Sequence, residues 1–231
     1  MSTSASGQEL LIQLETALHR LVESFWEEPY RFFTESDAVV ALQSWVARRP
    51  GLAQAVRTAD GFETSLLHRE YPTFFRFDKG EPDQRKGPPA RRGHYDLVLI
   101  DPVYVRHHEA ETVVNRDFEN RGELSSPPLV AAVEFKLFAS GLNPSQIDDV
   151  KEALGKLRLA LQSPDTDAAY LCVFQRDMSG RQDLWERRWP DMEATLGEYA
   201  DIRAVVAVWW PEQDWDPFVH YSGPWLTSMT E

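Results

Sequence analysis

The decamer Leu129-Val130-Ala131-Ala132-Val133-Glu134-Phe135-Lys136-Leu137-Phe138 decides how the rest of the chain is read. Apart from Glu134 and Lys136 it is apolar throughout, which is how a central strand covered by helices on both faces reads. Side chains alternate along a strand, so Glu134 and Lys136 share one face while Val133, Phe135 and Leu137 take the other. Burying an unpaired carboxylate or ammonium costs at least several kcal/mol. The two charges therefore need mutual neutralisation, a metal ion or a water-filled cleft. The competing reading is an ordinary cross-strand ion pair on an exposed face.

Upstream, Tyr95-Asp96-Leu97-Val98-Leu99-Ile100 is a second strand with a lone acid near its start, ending at Asp101-Pro102. If the two strands are neighbours, Asp96 and Glu134 meet across the ladder at ~5 Å, where like charges demand a cation. Two carboxylates, a backbone carbonyl and waters are what Mg²⁺ accepts, with Mn²⁺ as the natural substitute, and such a site serves phosphate chemistry. Lys136 then stands beside the metal, placed to orient a nucleophilic water and to offset charge developing on a phosphate. Chance alone puts about one acid-x-Lys triplet in a chain of this composition. Asp149-Val150-Lys151 is such a match, but it lies on an expected helix, where residues two apart face away from each other.

Leu10, Leu11, Leu14, Leu18, Leu21, Val22 and Phe25 recur at helical spacing between Glu9 and Glu27. Thr34, with Asp37 three residues on, predicts the capping box of a second helix running to Pro50. A short third helix and turn follow over 51–61. Residues 64–71, continuing through 74–77, read as extended, and Val103–Pro128 reads as an inserted loop. Asn143-Pro144 opens a helix to about Leu161, Ala168–Phe174 and Ile202–Trp210 are strands, and Gln182–Tyr199 is helical but interrupted near Pro190. The expected architecture is α/β: a mixed central sheet of about five strands flanked by helices, since alternation in the second half implies crossover connections. A single domain covers 1–231, with N-terminal helices over 1–50, a core over 64–210 and an aromatic C-terminal tail over 211–231.

The chain has 231 residues, 42% hydrophobic and 26% charged, which excludes wholesale disorder and fibrous repeats. No apolar run reaches the ~18 residues needed to cross a bilayer, and no Sec-type leader is evident, so neither secretion nor membrane embedding is expected. Cys172 is the only cysteine, which leaves no internal disulfide and suits a reducing cytoplasm. A net charge of −13 opposes the basic footprint of a free-standing nucleic-acid binder. Any such role rests on a local patch: Arg76, Lys79, Arg85, Lys86, Arg91 and Arg92 crowd one Gly/Pro-rich stretch that is otherwise read as a solvated loop. His94 shares the Asp96 face if that strand extends, as a phosphate contact or a plain exposed histidine. His107-His108-Glu109 reads as loop rather than metal site. Six of the eight tryptophans follow residue 180, suited to packing or to stacking on unpaired bases.

Glu35 on an early helix, Asp96 opening a strand and Glu134-Phe135-Lys136 on the next resemble the PD-(D/E)XK nuclease superfamily, whose fold is restriction-endonuclease-like. The resemblance covers about Phe32 to Trp210 in order of elements, and Asp96 follows His94-Tyr95 instead of a proline. It assigns Asp96 and Glu134 to Mg²⁺ binding, Lys136 to catalysis, and Glu35 to a second metal or a metal-bound water. An acid in a first helical turn is also favoured by the helix dipole alone, so capping and catalysis both fit Glu35. Gln146 or Lys151 is implied as a weak phosphate contact. The implied function is Mg²⁺-dependent hydrolysis of DNA, less readily RNA. Low intrinsic affinity implies that a protein partner or a homodimer presents the nucleic acid at Arg85, Lys86, Arg91, Arg92 and His94. The rival is a non-catalytic interaction module whose charges pair with one another.

Overall fold

A computed structural model describes residues 5–73, 76–78, 81–83, 93–114, 128–162, 166–176, 182–211 and 218–227. In chain order the elements are α1 (Ala5–Glu27), a 3-10 turn (Pro29–Arg31), α2 (Glu35–Val46), α3 (Pro50–Ala53), β1 (Val56–Arg57), β2 (Glu63–Thr64), β3 (Leu67–Pro72), β4 (Arg76–Asp78), β5 (Glu81–Asp83) and β6 (His94–Ile100). They continue with α4 (Pro102–His107), α5 (Ala110–Val114), β7 (Leu129–Phe138), α6 (Pro144–Gln162), β8 (Ala169–Arg176), α7 (Gln182–Gly197), β9 (Arg203–Trp209) and β10 (Phe218–Ser222).

Among the described residues the main sheet has six strands in the order β10-β9-β8-β7-β6-β3. β7, β8 and β9 are parallel, with α6 and α7 as their crossovers; β3, β6 and β7 are antiparallel neighbours, and β10 runs antiparallel to β9. The sheet is therefore mixed and helix-flanked, and the predicted decamer is β7 to the residue. α1 lays its leucine stripe on the sheet, where Phe25 meets Phe32 and Phe174 with ring centroids 6.0 and 5.0 Å away. β8 is buried along its whole length, as a strand covered on both faces must be.

Several expectations are corrected. The sheet has six strands instead of five because the tail is not an appendage: Phe218–Ser222 pairs with β9 from Val208↔Phe218 to Ala204↔Ser222. Its continuation is fastened by Glu15, a fully buried carboxylate inside the leucine stripe of α1. Glu15 accepts hydrogen bonds from the Tyr170 hydroxyl at 2.9 Å and from the backbone N–H of Leu226 and Thr227 at 2.8 Å each. Arg203 Nε stands 3.3 Å from it, so the buried charge is paired as well as hydrogen-bonded. The expected loop over 103–128 begins as two short helices, α4 and α5; Asp101 caps α4 by accepting the Val103 N–H at 2.7 Å, with Pro102 in the first turn. Residues 115–127 lie outside the described ones. α7 runs unbroken through Pro190, because Trp185, Met192 and Leu196 anchor it on either side while the proline lies on an exposed face. The expected third helix over 51–61 is the single turn α3 followed by β1, and Arg76–Asp78 pairs with Glu81–Asp83 as a separate hairpin.

No helix among the described residues is long and apolar enough to cross a membrane. Gly223, which turns the chain from β10 into the segment held by Glu15, has φ 85°, and a Cβ there would lie 2.2 Å from the Ile202 carbonyl oxygen. Gly223→Ala is therefore expected to destabilise the protein by at least about 1 kcal/mol in urea unfolding; an unchanged midpoint contradicts this account of the C-terminal turn.

Candidate functional site

The site is built where β6 and β7 stop pairing. The ladder holds Val98 opposite Ala132 and ends at Leu97 opposite Val133, with Asp96 and Glu134 next in their strands. There the Asp96 carboxylate takes over from a strand carbonyl and accepts the Phe135 N–H at 2.7 Å. The long gap from 101 to 128 does not prevent the two strands from pairing, and Asp96 lies near enough to raise the Glu134 carboxyl.

Glu134 is 1% exposed. Its Oε2 stands 2.5 Å from Lys156 Nζ of α6, and the same ammonium donates to the His94 carbonyl at 2.7 Å. Its Oε1 is buried with no hydrogen-bond partner. Burial pushes the Glu134 carboxyl up to about 8; Lys156 draws it back down and Asp96 adds to the rise. Lys136, two residues on, keeps about a fifth of its side chain exposed and lies 3.5 Å from Glu35 Oε1. Burial draws the Lys136 ammonium down, but Glu35, Glu134 and Asp96 together outweigh that and raise it above the usual lysine value. Glu35 is itself raised, chiefly by burial.

Glu35 lies in the first turn of α2, where the dipole favours an acid, and also reaches Lys136. The α2 cap is made by Thr34 and Asp37: the Asp37 N–H donates to Thr34 Oγ1 at 3.3 Å and the Thr34 N–H to Asp37 Oδ2 at 2.8 Å. Glu35 is left free of capping and turns to Lys136. An open cleft of about 600 Å³, lined in part by Ser36, Gln43, His68, Glu70 and Asp96, adjoins this cluster. Glu70 lies on β3 between the pairs Arg69↔Leu97 and Tyr71↔Tyr95, and has φ 49°, a conformation that costs a non-glycine residue about 1 kcal/mol or more. Strain of this kind is held where the surrounding structure over-determines it.

Of the other predicted residues, Arg85, Lys86, Arg91 and Arg92 lie outside the described residues. His94 enters the cluster through its backbone carbonyl. Gln146 is occupied at the start of α6, where its Oε1 accepts the Asn143 N–H at 2.9 Å, and Lys151 is exposed. His107 and His108 turn their Nδ1 atoms to the carbonyls of Val103 and Tyr104 at 2.7 and 2.8 Å. Sequence reasoning missed Lys156. The available signal was its place on the buried stripe of α6, three residues after Ala153 and four before Ala160, small residues that leave room for a lysine stem.

Among the described residues no group of three His, Cys, Asp or Glu side chains is placed to hold a metal, so Glu35 does not complete a cage with Asp96 and Glu134. The two opposed carboxylates, with the unpartnered Glu134 Oε1 between strands, remain a hard-oxygen donor set. That set fits Mg²⁺, which is bound through one or two carboxylates and keeps several waters. Compared with known proteins, the chain matches no family model, no curated protein and no solved structure.

Between the ordinary carboxylate pKa and about 8, folded Glu134 holds a proton that the unfolded chain has released, so stability falls as pH rises through that window. Urea denaturation from about pH 5 to about pH 8 is expected to show this fall, with a flatter profile for Glu134→Gln. Equal slopes in the two proteins contradict the assignment.

Proposed function

We propose that this chain is a cytoplasmic, Mg²⁺-dependent nuclease of the PD-(D/E)XK type with a restriction-endonuclease-like fold, hydrolysing phosphodiester bonds of DNA in preference to RNA. The observation that carries the reading is Glu134 and Lys136 two residues apart on a buried strand, with the Asp96 carboxylate of the antiparallel neighbour bonded to the Phe135 N–H between them. The order of elements agrees: α2 with Glu35, β6 carrying Asp96, β7 beside it, then α6. Asp96 and Glu134 hold the metal, which when bound polarises the phosphoryl oxygen and acidifies a water. Lys136, its charge secured by three carboxylates, orients the attacking water and offsets negative charge on the phosphate as the bond to the leaving oxygen breaks. Glu35 holds the Lys136 ammonium in position. The net charge of −13 predicts weak, salt-sensitive affinity, so a protein partner or a second copy helps to present the nucleic acid.

One observation favours a second reading. Lys156 Nζ lies 2.5 Å from Glu134 Oε2 and so neutralises the buried carboxylate from within the chain. A non-catalytic interaction module would keep that pair and bind no metal.

Calorimetry with Mg²⁺ or Mn²⁺ and a cleavage assay on single- and double-stranded DNA and RNA separate the two. The nuclease reading expects metal binding by wild type and its loss in Asp96→Ala. It expects Lys136→Ala to retain metal but to cleave at least about 100-fold more slowly. Absence of metal affinity in the wild-type protein supports the module instead.

A further inference from the structure

Arg176 ends β8 as a charge that no described carboxylate neutralises. It is 8% exposed, its Nε is buried without a hydrogen-bond partner, and among the described residues no carboxylate lies within ion-pair distance of it. A buried guanidinium is costly unless something compensates it. The groups beside it are aromatic: its Cζ is 5.9 Å from the ring centroid of Tyr30 and 5.8 Å from that of Phe33, at the outer limit of a cation–π contact. Phe33 is 73% exposed and Tyr30 49% exposed, although solvent-facing phenylalanines of that size have little to gain from folding. Tyr30 is braced edge-on by Trp209, with ring centroids 5.4 Å apart, so the platform is held from below.

This cluster is joined to the candidate site through the start of α2. Phe33 precedes Glu35 by two residues, and Glu35 reaches Lys136 at 3.5 Å. Arg176 is three residues beyond Val173, the register partner of Lys136, hence about 10 Å further along the sheet and, by strand alternation, with its side chain on the other face. A fixed cation flanked by an exposed aromatic face is complementary to an anion that carries a flat ring, which is the chemistry of one nucleotide: phosphate to guanidinium, base to phenyl face. A paired base has both faces already stacked, so only an unpaired strand presents such a ring.

We infer that Arg176, Phe33 and Tyr30 form a nucleotide-binding platform for single-stranded nucleic acid, seating an unpaired base on the exposed ring of Phe33. The inference rests on the proposed nuclease reading for what happens to the strand, and on the platform alone for its binding. A buried cation also gives this strongly acidic protein a local attraction for phosphate that its net charge denies it elsewhere.

The test is fluorescence anisotropy with labelled single-stranded DNA, single-stranded RNA and duplex DNA, in EDTA so that no cleavage intervenes. Wild type is expected to bind a single strand more tightly than the duplex, and the two single-stranded arms tell which sugar is preferred. Phe33→Ala, a change at an exposed ring, is expected to weaken single-strand binding about tenfold, the loss of one base stack. Arg176→Gln is expected to weaken it and to lower the salt dependence by about one phosphate contact; circular dichroism checks its folding, and Phe33→Ala keeps the inference testable if that variant unfolds. Unchanged affinity in Phe33→Ala, or equal or tighter binding of duplex, overturns the inference, as does failure of wild type to bind any oligonucleotide. Metal-dependent cleavage of duplex alongside any of these results leaves the nuclease reading standing and removes only the platform.

Discussion

A carboxylate buried in the middle of an apolar strand is the constraint on which this structure turns. Glu134 sits at 1% exposure with Val133 and Phe135 fully buried on either side, where a hydrophobic residue of similar size would stabilise the core without needing a partner. The fold answers it with Lys156 from α6, while Asp96 on the next strand adds a second carboxylate, and β6 parts from β7 just there. Around that point α2 brings Glu35 and β7 continues to Lys136, so three carboxylates and two ammonium groups meet at the margin of a solvent-filled cleft. Most of the sheet can be understood as a rigid frame that brings these groups together.

The frame has its own buried charge at the other end of the chain. Glu15 interrupts the leucine stripe of α1 as Glu134 interrupts β7, but every interaction it makes serves to close the fold: Tyr170, Arg203 and two backbone amides of the C-terminal segment. The contrast is informative. Both Glu15 oxygens have partners, whereas Glu134 Oε1 has none, and the nearby Asp96 carboxylate helps to raise the Glu134 pKa. A structural carboxylate is saturated by its surroundings; one with an unused oxygen beside a second carboxylate retains capacity for a cation.

What the sequence disclosed follows from where local signals dominate. β7 was legible because two charges in an apolar run restrict it to one strand register, and the α2 cap because Thr34 and Asp37 form a local reciprocal pair. The pairing of Asp96 with Glu134 followed from those two strands being neighbours. Elements that depend on tertiary packing were misread: Pro190 breaks an isolated helix but not one anchored by Trp185 and Met192, and Asp101-Pro102 ends a strand and starts a helix at once. The β10 strand was hidden because its aromatic residues read equally as a tail, and only the partner β9 makes them a strand. Lys156 was invisible for a similar reason, since a lysine on a helix is unremarkable until the carboxylate it meets comes from a distant strand.

On the proposed reading Asp96 and Glu134 together hold a divalent cation. Crystals grown or soaked with Mn²⁺, with data collected to record its anomalous scattering, test it directly. The expected result is an anomalous peak bound by carboxylate oxygens of both Asp96 and Glu134, with Lys156 Nζ moved off Glu134. Density that shows no ion there, with Lys156 still seated on Glu134 at saturating Mn²⁺, contradicts it.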